Sequence, residues 1–328
     1  MNTTVKKTIN LIADIGGTNI RIAIADKSSD NYFIEMATYR CADYASLAEV
    51  IALYIDTKQL TNTTIDACLA IACPVDTDII SMTNLPWQFS QHALKEQLNF
   101  QSLTLINDYT AIAMAIPLLN DSQKVKVGGG DVTPNAPIAV CGPGTGLGVA
   151  NLVPISISGV NKWHCFSGEG GHVDFAAVDD IDIKILQQLK NIKARVSYEQ
   201  LLSGYGLIQI YQALCIINDH AGDKLSAAEI SAKALSGSCA ICQQTLAQFC
   251  KILGSFAGNL ALMMNSKGGV YIAGGIVPRF IDYLKSSAFR ERFEAKGRLS
   301  HITQKAPTYI ITEKQPGLLG AAAYLLQQ

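Results

Sequence analysis

Two glycine-rich turns carry a recognisable chemical signal in this sequence. Ile15-Gly16-Gly17-Thr18 lies between two short apolar stretches, and Gly142-Pro143-Gly144-Thr145-Gly146 lies between two more. Backbone N–H groups at such turns are fixed donors that no side chain covers, so phosphate oxygens can approach them closely. Leu147 occupies the place of the third glycine of a dinucleotide fingerprint, and the Gly-Lys of a P-loop is absent. We therefore predict that one turn from each half of the chain grips the phosphate chain of a nucleotide.

An aspartate and a proline modify this picture. Asp14 directly precedes the first turn and is placed to bind Mg²⁺ or its waters, because hard cations take oxygen ligands. The alternative for Asp14 is an ordinary turn aspartate that bonds its own backbone. Pro143 has no N–H to offer, so the second turn would rely on Gly144, Thr145 and Gly146.

Two further places hold polar side chains suited to binding a ligand. Asn107-Asp108 follow an apolar stretch and precede a helix that looks buried, and ligands bind at the carboxyl ends of strands in α/β sheets. The alternative for this pair is a helix cap. Glu169-Gly-Gly-His172 places an acceptor and an imidazole around a tight turn, although a lone histidine is more often structural.

Three other stretches are open to a structural interpretation. Gly274-Gly275 before Pro278 would bring a helix N-terminus near the adenosine or phosphates, or form a plain strand-to-helix turn. Ser197-x-x-Gln200 predicts a capping box at a helix start, which would make Glu199 a surface residue. Asp179-Asp180-x-Asp182 is interpreted as a solvated acidic run that begins a helix.

The elements that must position these residues alternate between strands and helices. Hydrophobic periodicity and turn residues predict, for the first half, strands over 9–14, 19–26, 32–38, 67–73 and 102–106 and helices over 47–55 and 90–98. The stretch 127–137 is a loop by composition. The second half is then predicted to hold a hairpin around the second turn, a helical insertion over 181–264, strands over 270–273 and 309–312, and a final helix over 317–328.

The opening of the first half recurs in the second. The offset that superposes Gly17-Thr18 on Gly144-Thr145 also aligns Leu11-Ile12 with Ile138-Ala139 and Ile22-Ala23 with Val149-Ala150. We therefore predict an α/β fold of two related lobes with a cleft between them. The expected lobes are residues 1–118 with 308–328, and residues 119–307 with the helical insertion.

Composition excludes several classes of protein. The 328 residues include 26 basic and 27 acidic side chains, which leaves no basic field for nucleic acid or anionic lipid. Hydrophobic residues make up 49% of the chain, as expected of a globular fold and not of a disordered one. The nine scattered cysteines, the lack of an export signal and the longest apolar run, broken at Pro117, predict a cytoplasmic protein without a membrane span.

An ordered set of motifs resembles the bacterial glucokinases. The set runs from about Asn10 to Leu326 and comprises Asp14-Ile-Gly-Gly-Thr-Asn19, Leu105-Ile-Asn-Asp108, Gly142-x-Gly-Thr-Gly-Leu-Gly148, Gly168-Glu-Gly-Gly-His-Val-Asp174 and Ala273-Gly-Gly275, with Ser81-Met-Thr-Asn-Leu-Pro-Trp87 and Gly317-Leu-Leu-Gly320. The resemblance is to the hexokinase-like type. The ROK type (repressors, open reading frames and kinases) typically carries a Cys-rich zinc loop where this chain has Val-Asp-Phe-Ala.

The resemblance implies an actin-like ATPase fold of ribonuclease-H-like lobes, with ATP and Mg²⁺ as cofactors and glucose as substrate. It makes Asp108 the base that faces the 6-hydroxyl, and Asn107, Glu169, His172 and Glu199 ligands of sugar hydroxyls. It assigns nucleotide binding to Ala13, Asp14, Ile15, Gly16, Gly17, Thr18, Gly144, Thr145, Gly146, Gly274 and Gly275, with Asp14 also serving the metal. A homodimer is expected from the low charge and the habit of the family.

The expected reaction moves the γ-phosphoryl group of ATP to the 6-hydroxyl of glucose. The nearest alternative is a kinase of another hexose or of an amino sugar on the same fold. A non-catalytic sugar sensor or regulator is a weaker alternative, since the sequence has no basic patch and no helix-turn-helix segment before residue 9. An actin-like or chaperone ATPase would leave Asn107-Asp108 and the Glu169–His172 turn unexplained.

Overall fold

The computed structural model describes residues 7–82, 85–157 and 159–327, and the chain divides into two compact units. The first unit runs to Leu119 and resumes at Glu313, and the second is Asn120–Thr312. Two residues of the Ser81–Trp87 motif, Thr83 and Asn84, lie outside the described residues. So do the ends of the predicted first lobe, residues 1–6 and 328.

The described residues of the first unit form seven strands and four α-helices, numbered here in chain order along the whole protein. The strands are β1 (Thr8–Ile15), β2 (Asn19–Ala25), β3 (Phe33–Arg40), β4 (Thr64–Ile71), β5 (Ile79–Ser81), β6 (Gln88–Ser90) and β7 (Ser102–Asn107). The helices are α1 (Leu47–Thr57), α2 (Gln91–Gln97), α3 (Asp108–Ala115) and α11 (Pro316–Leu326). The predicted elements of the first half are thus confirmed, and the short β5–β6 hairpin is an addition.

A five-stranded sheet in the order β3-β2-β1-β4-β7 forms the centre of this unit. β1 pairs antiparallel with β2 and parallel with β4, which pairs parallel with β7. Successive side chains of a strand point to opposite faces, and both faces of β1 are buried. Leu11 packs on one face in a cluster with α1, and Ile12 packs on the other with α3 and α11.

In the second unit, residues 120–157 and 159–312 form six strands and seven α-helices. The strands are β8 (Lys124–Gly128), β9 (Ile138–Pro143), β10 (Leu147–Ile157), β11 (Val160–Gly168), β12 (Gly269–Ile272) and β13 (Thr308–Ile311). The helices are α4 (Asp180–Lys190), α5 (Gly204–Ile217), α6 (Ala227–Leu235), α7 (Ala240–Met264), α8 (Ile281–Ser286), α9 (Phe289–Glu294) and α10 (Ser300–Lys305). Helices α4 to α7 form the predicted helical insertion, and β8 overlaps the start of the stretch predicted as a loop.

The second sheet repeats the strand order of the first. Its order is β11-β10-β9-β12-β13-β8, so a hairpin, its neighbouring edge strand and two parallel strands recur, with β8 added. The turns differ in length: Ile15 pairs with Ile20 across four residues, whereas Pro143 pairs with Leu147 across three. The shared order supports duplication, and the shorter turn moves the pairing one residue from the sequence alignment.

The predicted boundary before residue 308 is wrong for a short segment. β13 pairs parallel with β12 and antiparallel with β8, so it completes the sheet of the second unit. Backbone pairing in a sheet commits the whole strand to that sheet, and residues 308–312 therefore belong to the second unit. Only α11 and the residues just before it return to the first unit.

Helix α7 has the length and hydropathy of a membrane span, contrary to the sequence prediction that no segment does. Its 25 residues pass by length and composition, yet 72% of its most apolar 18-residue window is buried inside the fold. Phe249, Leu253 and Phe256 are among its fully buried side chains. A core helix that is apolar on all sides is expected to have this composition.

The acidic run Asp179–Asp182 begins α4 as predicted and Asp180 is exposed, but Asp182 is not solvated. Asp182 is completely buried, and the guanidinium of Arg292 lies 2.6 Å from its Oδ2. Asp179 caps the helix, forms a capping box with Asp182 and lies 2.9 Å from the same guanidinium. A buried carboxylate requires such partners because burial disfavours an unpaired charge.

Candidate functional site

The first unit gathers three predicted polar residues at one edge of its sheet. β1, β4 and β7 run parallel, so their carboxyl ends meet at the same edge. Asp14 lies near the end of β1, Asn107 ends β7, and Asp108 begins α3 directly afterwards. The predicted position of Asn107 and Asp108 at the carboxyl end of a strand is confirmed. Ligands commonly bind at such edges in α/β proteins.

Asn107 and Asp108 both cap α3. Asn107 Oδ1 accepts the Tyr109 N–H at 2.9 Å, and Asp108 Oδ1 accepts it at 3.0 Å. Burial and, to a smaller extent, the charge of Asp14 raise the pKa of Asp108 to about 6, although hydrogen bonds from Tyr109 and Asn107 act to lower it. The capping role and a ligand role are compatible, because an amide has donors besides the capping oxygen.

Asp14 is held by two neighbours that the sequence analysis did not single out. Its Oδ2 lies 3.6 Å from Arg21 Nη1, the residue opposite it on β2. Its carboxylate also lies against Gly317 of α11, where a Cβ would be 2.6 Å from Asp14 Cγ. Burial raises the pKa of Asp14, and Arg21 opposes the rise. Arg21 could have been found from sequence, since a four-residue turn after Ile15 pairs it with Asp14.

The first glycine turn spans residues 16–19. Gly16 N–H donates to the Asn19 carbonyl at 3.1 Å. Within the described residues, the N–H groups of Gly17 and Thr18 have no acceptor, and Thr18 is exposed. Ala13 and Ile15 are different, because their side chains are completely buried and their backbones lie between β2 and β4. The structure therefore does not bring those two side chains to the turn.

The second glycine turn is limited to residues 144–146. Pro143 ends β9 and pairs with Leu147, so it lies outside the turn. Gly144 N–H donates to the Gly146 carbonyl at 2.8 Å. In the part of the chain that the structure describes, the N–H groups of Thr145 and Gly146 have no acceptor. The donors available for an anion are therefore fewer than the three that the sequence suggested.

Glu169, His172 and Glu199 form one cluster in the second unit. His172 Nδ1 lies 3.9 Å from Glu169 Oε2, and His172 Nε2 lies 3.5 Å from Glu199 Oε1. The two glycines between Glu169 and His172 allow a 3₁₀ turn that packs against Leu147, where a Cβ on Gly171 would overlap the Leu147 carbonyl. These side chains present several hydrogen-bond donors and acceptors.

Glu199 lies on a single 3₁₀ turn, Tyr198–Gln200, and the predicted capping box at Ser197 does not form. Its side chain is 29% exposed against 78% for Glu169, because Glu199 Oε2 accepts the Leu147 N–H at 2.9 Å. This bond joins residues 52 positions apart in sequence. The spacing of local motifs therefore gave no signal for it.

Gly274 and Gly275 follow β12. Gly274 has a φ of +85°, and a Cβ there would overlap the Pro143 carbonyl, so only glycine fits without strain. A Cβ on Gly275 would meet nothing within 4 Å. The predicted helix at Pro278 is a 3₁₀ turn, Val277–Phe280, and α8 begins only at Ile281. The glycines therefore make a close strand-end turn and not the start of an α-helix.

The carboxylates at the edge of the first sheet fit a magnesium ion. No group of three or more His, Cys, Asp or Glu side chains suited to a metal occurs among residues 7–82, 85–157 and 159–327. Mg²⁺ in nucleotide enzymes, however, takes one or two carboxylates and completes its shell with phosphate oxygens and water. Burial raises the pKa of both carboxyl groups, and the charge of Asp14 also raises that of Asp108, so a cation beside them would favour their ionised forms.

Comparison with known proteins agrees with this arrangement. The glucokinase family model matches residues 11–328. A glucokinase from Colwellia psychrerythraea is 68% identical over 324 residues, covering 97% of this chain and 96% of that protein. A glucokinase from Cronobacter sakazakii is 46% identical over 97% of both chains.

Solved structures give the same result for the fold. The glucokinase of an Antarctic psychrotroph is 39% identical, with a TM-score of 0.88 over 98% of this chain and 99% of that one. A ROK-family glucokinase from Streptomyces griseus, solved with glucose and AMPPNP, has a TM-score of 0.61 over 98% of this chain and 100% of that one, at 14% identity, so it supports the fold alone. The predicted α/β sugar-kinase fold is confirmed, and the chain belongs to the glucokinase family.

Proposed function

We propose that this chain transfers the γ-phosphoryl group of ATP to the 6-hydroxyl of glucose, giving glucose 6-phosphate and ADP. The observation that carries the proposal is the half-buried carboxylate of Asp108 at the end of a parallel strand, with a pKa of about 6 and Asn107 beside it. A general base works best when its pKa lies near the working pH. Family membership at 68% identity to a glucokinase supports the choice of sugar.

Asp108 positions the 6-hydroxyl and accepts its proton as the oxygen bonds to phosphorus. Phosphoryl transfer has a loose transition state, so orienting the nucleophile and taking its proton late is sufficient. The Asn107 oxygen caps α3 and its amide also donates to Asp108, which leaves an N–H for a neighbouring hydroxyl. The new phosphorus–oxygen bond replaces the bond to the β-phosphate, and ADP leaves.

The cluster in the second unit binds the remaining sugar hydroxyls. Glu169 and Glu199 accept hydrogen bonds, while His172 donates one and accepts another. The distances of 3.5 and 3.9 Å from His172 to the two carboxylates support a set of groups that share one small polar ligand. A sugar with several hydroxyls satisfies more of these groups than a ligand with a single charge.

The two glycine turns bind the phosphates. Gly17 and Thr18 of the first turn, and Thr145 and Gly146 of the second, supply N–H groups, with Gly16 and Gly144 shaping the turns. Gly274 and Gly275 lie at the end of β12 next to the second turn and contribute backbone there. Asp14 would hold Mg²⁺, which would supply positive charge to offset the negative charge that develops on the phosphates.

The finer assignment is to the hexokinase-like branch of an actin-like superfamily, because this chain has Val-Asp-Phe-Ala where ROK kinases typically carry a zinc loop. We also propose a cytoplasmic enzyme, in keeping with nine cysteines that form no disulfide among the described residues. A homodimer is proposed from the low charged fraction of 16%. Sedimentation velocity would test the oligomeric state.

The test is ADP release by the purified protein from Mg-ATP, with and without glucose, mannose, fructose, N-acetylglucosamine and N-acetylmannosamine. We expect strong stimulation by glucose, with glucose 6-phosphate as product, and no turnover by Asp108→Ala that still folds and binds glucose. Stimulation by an amino sugar alone would keep the mechanism and change the substrate. Folded protein that no sugar stimulates would instead favour a non-catalytic sugar sensor.

A further inference from the structure

The carboxylate of Glu199 has its two oxygens on two different functional groups. Oε1 lies 3.5 Å from His172 Nε2, within the sugar cluster. Oε2 accepts the N–H of Leu147 at 2.9 Å, and Leu147 is the residue directly after the second glycine turn. One side chain therefore contacts both the proposed sugar site and the proposed phosphate turn of the second unit.

The segment 199–204 also forms a hydrogen bond to the other end of the second glycine turn. Gly204 N–H, the first amide of α5, donates to the Gly144 carbonyl at 2.9 Å. A Cβ on Gly146 would come 2.6 Å from Glu199 Oε2, so the carboxylate lies in space that a larger residue would fill. Residues 199–204 thus fix residues 144–147 from both ends.

This attachment determines where the remaining turn donors point. In the described part of the chain, Thr145 and Gly146 keep N–H groups without an acceptor, and both lie between the two anchored positions. Preorganised donors bind an anion better than donors that must first be ordered, because the ordering costs free energy at the moment of binding. Loss of the bond to Leu147 would release one end of the turn.

We propose that Glu199 is a positioning residue for the phosphate turn in addition to its contact with the sugar, so that sugar and nucleotide binding in the second unit are coupled through its carboxylate. This rests on the proposed function for the identity of both ligands. A hydroxyl bound at Oε1 restrains the side chain and so holds Oε2 on Leu147. Such coupling is reciprocal, and nucleotide binding must favour sugar binding by the same factor.

The experiment measures Mg-ADP affinity by calorimetry in the absence of any sugar. Glu199→Ala is expected to weaken Mg-ADP binding about tenfold, since it removes a charge-assisted hydrogen bond that orders the turn. Glu291→Ala is the matched control: it removes an exposed carboxylate of α9 in the same unit, away from the sugar cluster and the second turn, and its Mg-ADP affinity should equal that of the unchanged protein. Glu199→Gln keeps an oxygen for Leu147 and should restore most of the affinity.

Equal Mg-ADP affinity for Glu199→Ala, Glu291→Ala and the unchanged protein would overturn the proposal. So would a loss in Glu199→Ala that Glu199→Gln fails to restore while thermal unfolding shows both variants folded. A second set of titrations with glucose distinguishes failure of this proposal from failure of the proposed function. If glucose fails to bind the unchanged protein, the substrate assignment fails, yet the sugar-free arm still decides whether Glu199 positions the turn.

Discussion

The carboxylate of Asp14 lies directly against the backbone of Gly317, although 302 residues separate them in the chain. A Cβ on Gly317 would lie 2.6 Å from Asp14 Cγ and 2.8 Å from its Oδ1. Gly317 is buried in the first turn of α11, which packs on the same sheet as β1. The return of the chain to the first unit therefore sets the position of the proposed magnesium ligand.

Gly317→Ala should impair nucleotide use more than folding. The added methyl group must displace the Asp14 carboxylate. A displacement of about 1 Å at a reacting centre can lower the rate about a hundredfold. We expect kcat/KM for Mg-ATP to fall by at least tenfold. Gly168→Ala is the control, because a Cβ there meets nothing within 4 Å, and it should retain the activity of the unchanged protein. Equal activity of the two variants would show that Asp14 needs no fixed position.

The rate should depend on pH through Asp108. Its carboxylate must be ionised to accept the proton of the 6-hydroxyl, and its pKa in the fold is about 6. We expect kcat/KM for glucose to be constant above neutral pH and to fall about tenfold per pH unit well below pH 6. Initial rates at subsaturating glucose, in buffers in which circular dichroism shows the protein folded, provide the measurement. A flat profile down to pH 5 would remove Asp108 as the base.

Asp108 should also destabilise the fold at neutral pH. An acid whose pKa is higher in the folded state binds its proton more tightly there, so the free energy of unfolding falls as pH rises between about 4 and 6. Asp108→Asn should therefore raise the free energy of unfolding by about 3 kcal/mol at pH 7, while abolishing turnover. Denaturant titrations at pH 7 and pH 4 would check this. The gain should vanish at the lower pH, and Asp43→Asn, at an exposed position, should show none at either.

The buried pair of Asp182 and Arg292 predicts a large loss of stability. Arg292→Met leaves Asp182, which has no exposed surface, without its guanidinium partner, and such losses cost about 3–5 kcal/mol. Lys251→Met removes a half-exposed cation 3.3 Å from Asp179 and should cost less than about 1 kcal/mol. Urea unfolding of the full-length variants would compare their free energies of unfolding. Similar losses in both variants would mean that Gln248, which also donates to Asp182, is a sufficient partner.

The sequence by itself determined the local elements and the order of the motifs. Hydrophobic alternation and a Gly-Gly turn predict the β1–β2 hairpin, and the recurring Gly-Thr predicts its counterpart, because these signals lie within a few residues of one another. The position of Asn107 and Asp108 at the end of a strand was also predicted from such a local pattern, an apolar stretch followed by a helix. Chain-wide resemblance of ordered motifs then indicated the family, which the comparisons confirmed.

Tertiary structure alone decided which distant groups meet. Sequence spacing made Glu199 a residue of a helix start and Asp182 a solvated acid, yet the first accepts a hydrogen bond from Leu147 and the second is buried against Arg292. The sequence prediction assigned residues 308–312 to the wrong unit, because the residues of a four-residue strand do not indicate which strands it pairs with. In the structure, β13 pairs with β12 and β8. Burial and long-range pairing depend on the packing of the whole chain, and no local pattern encodes them.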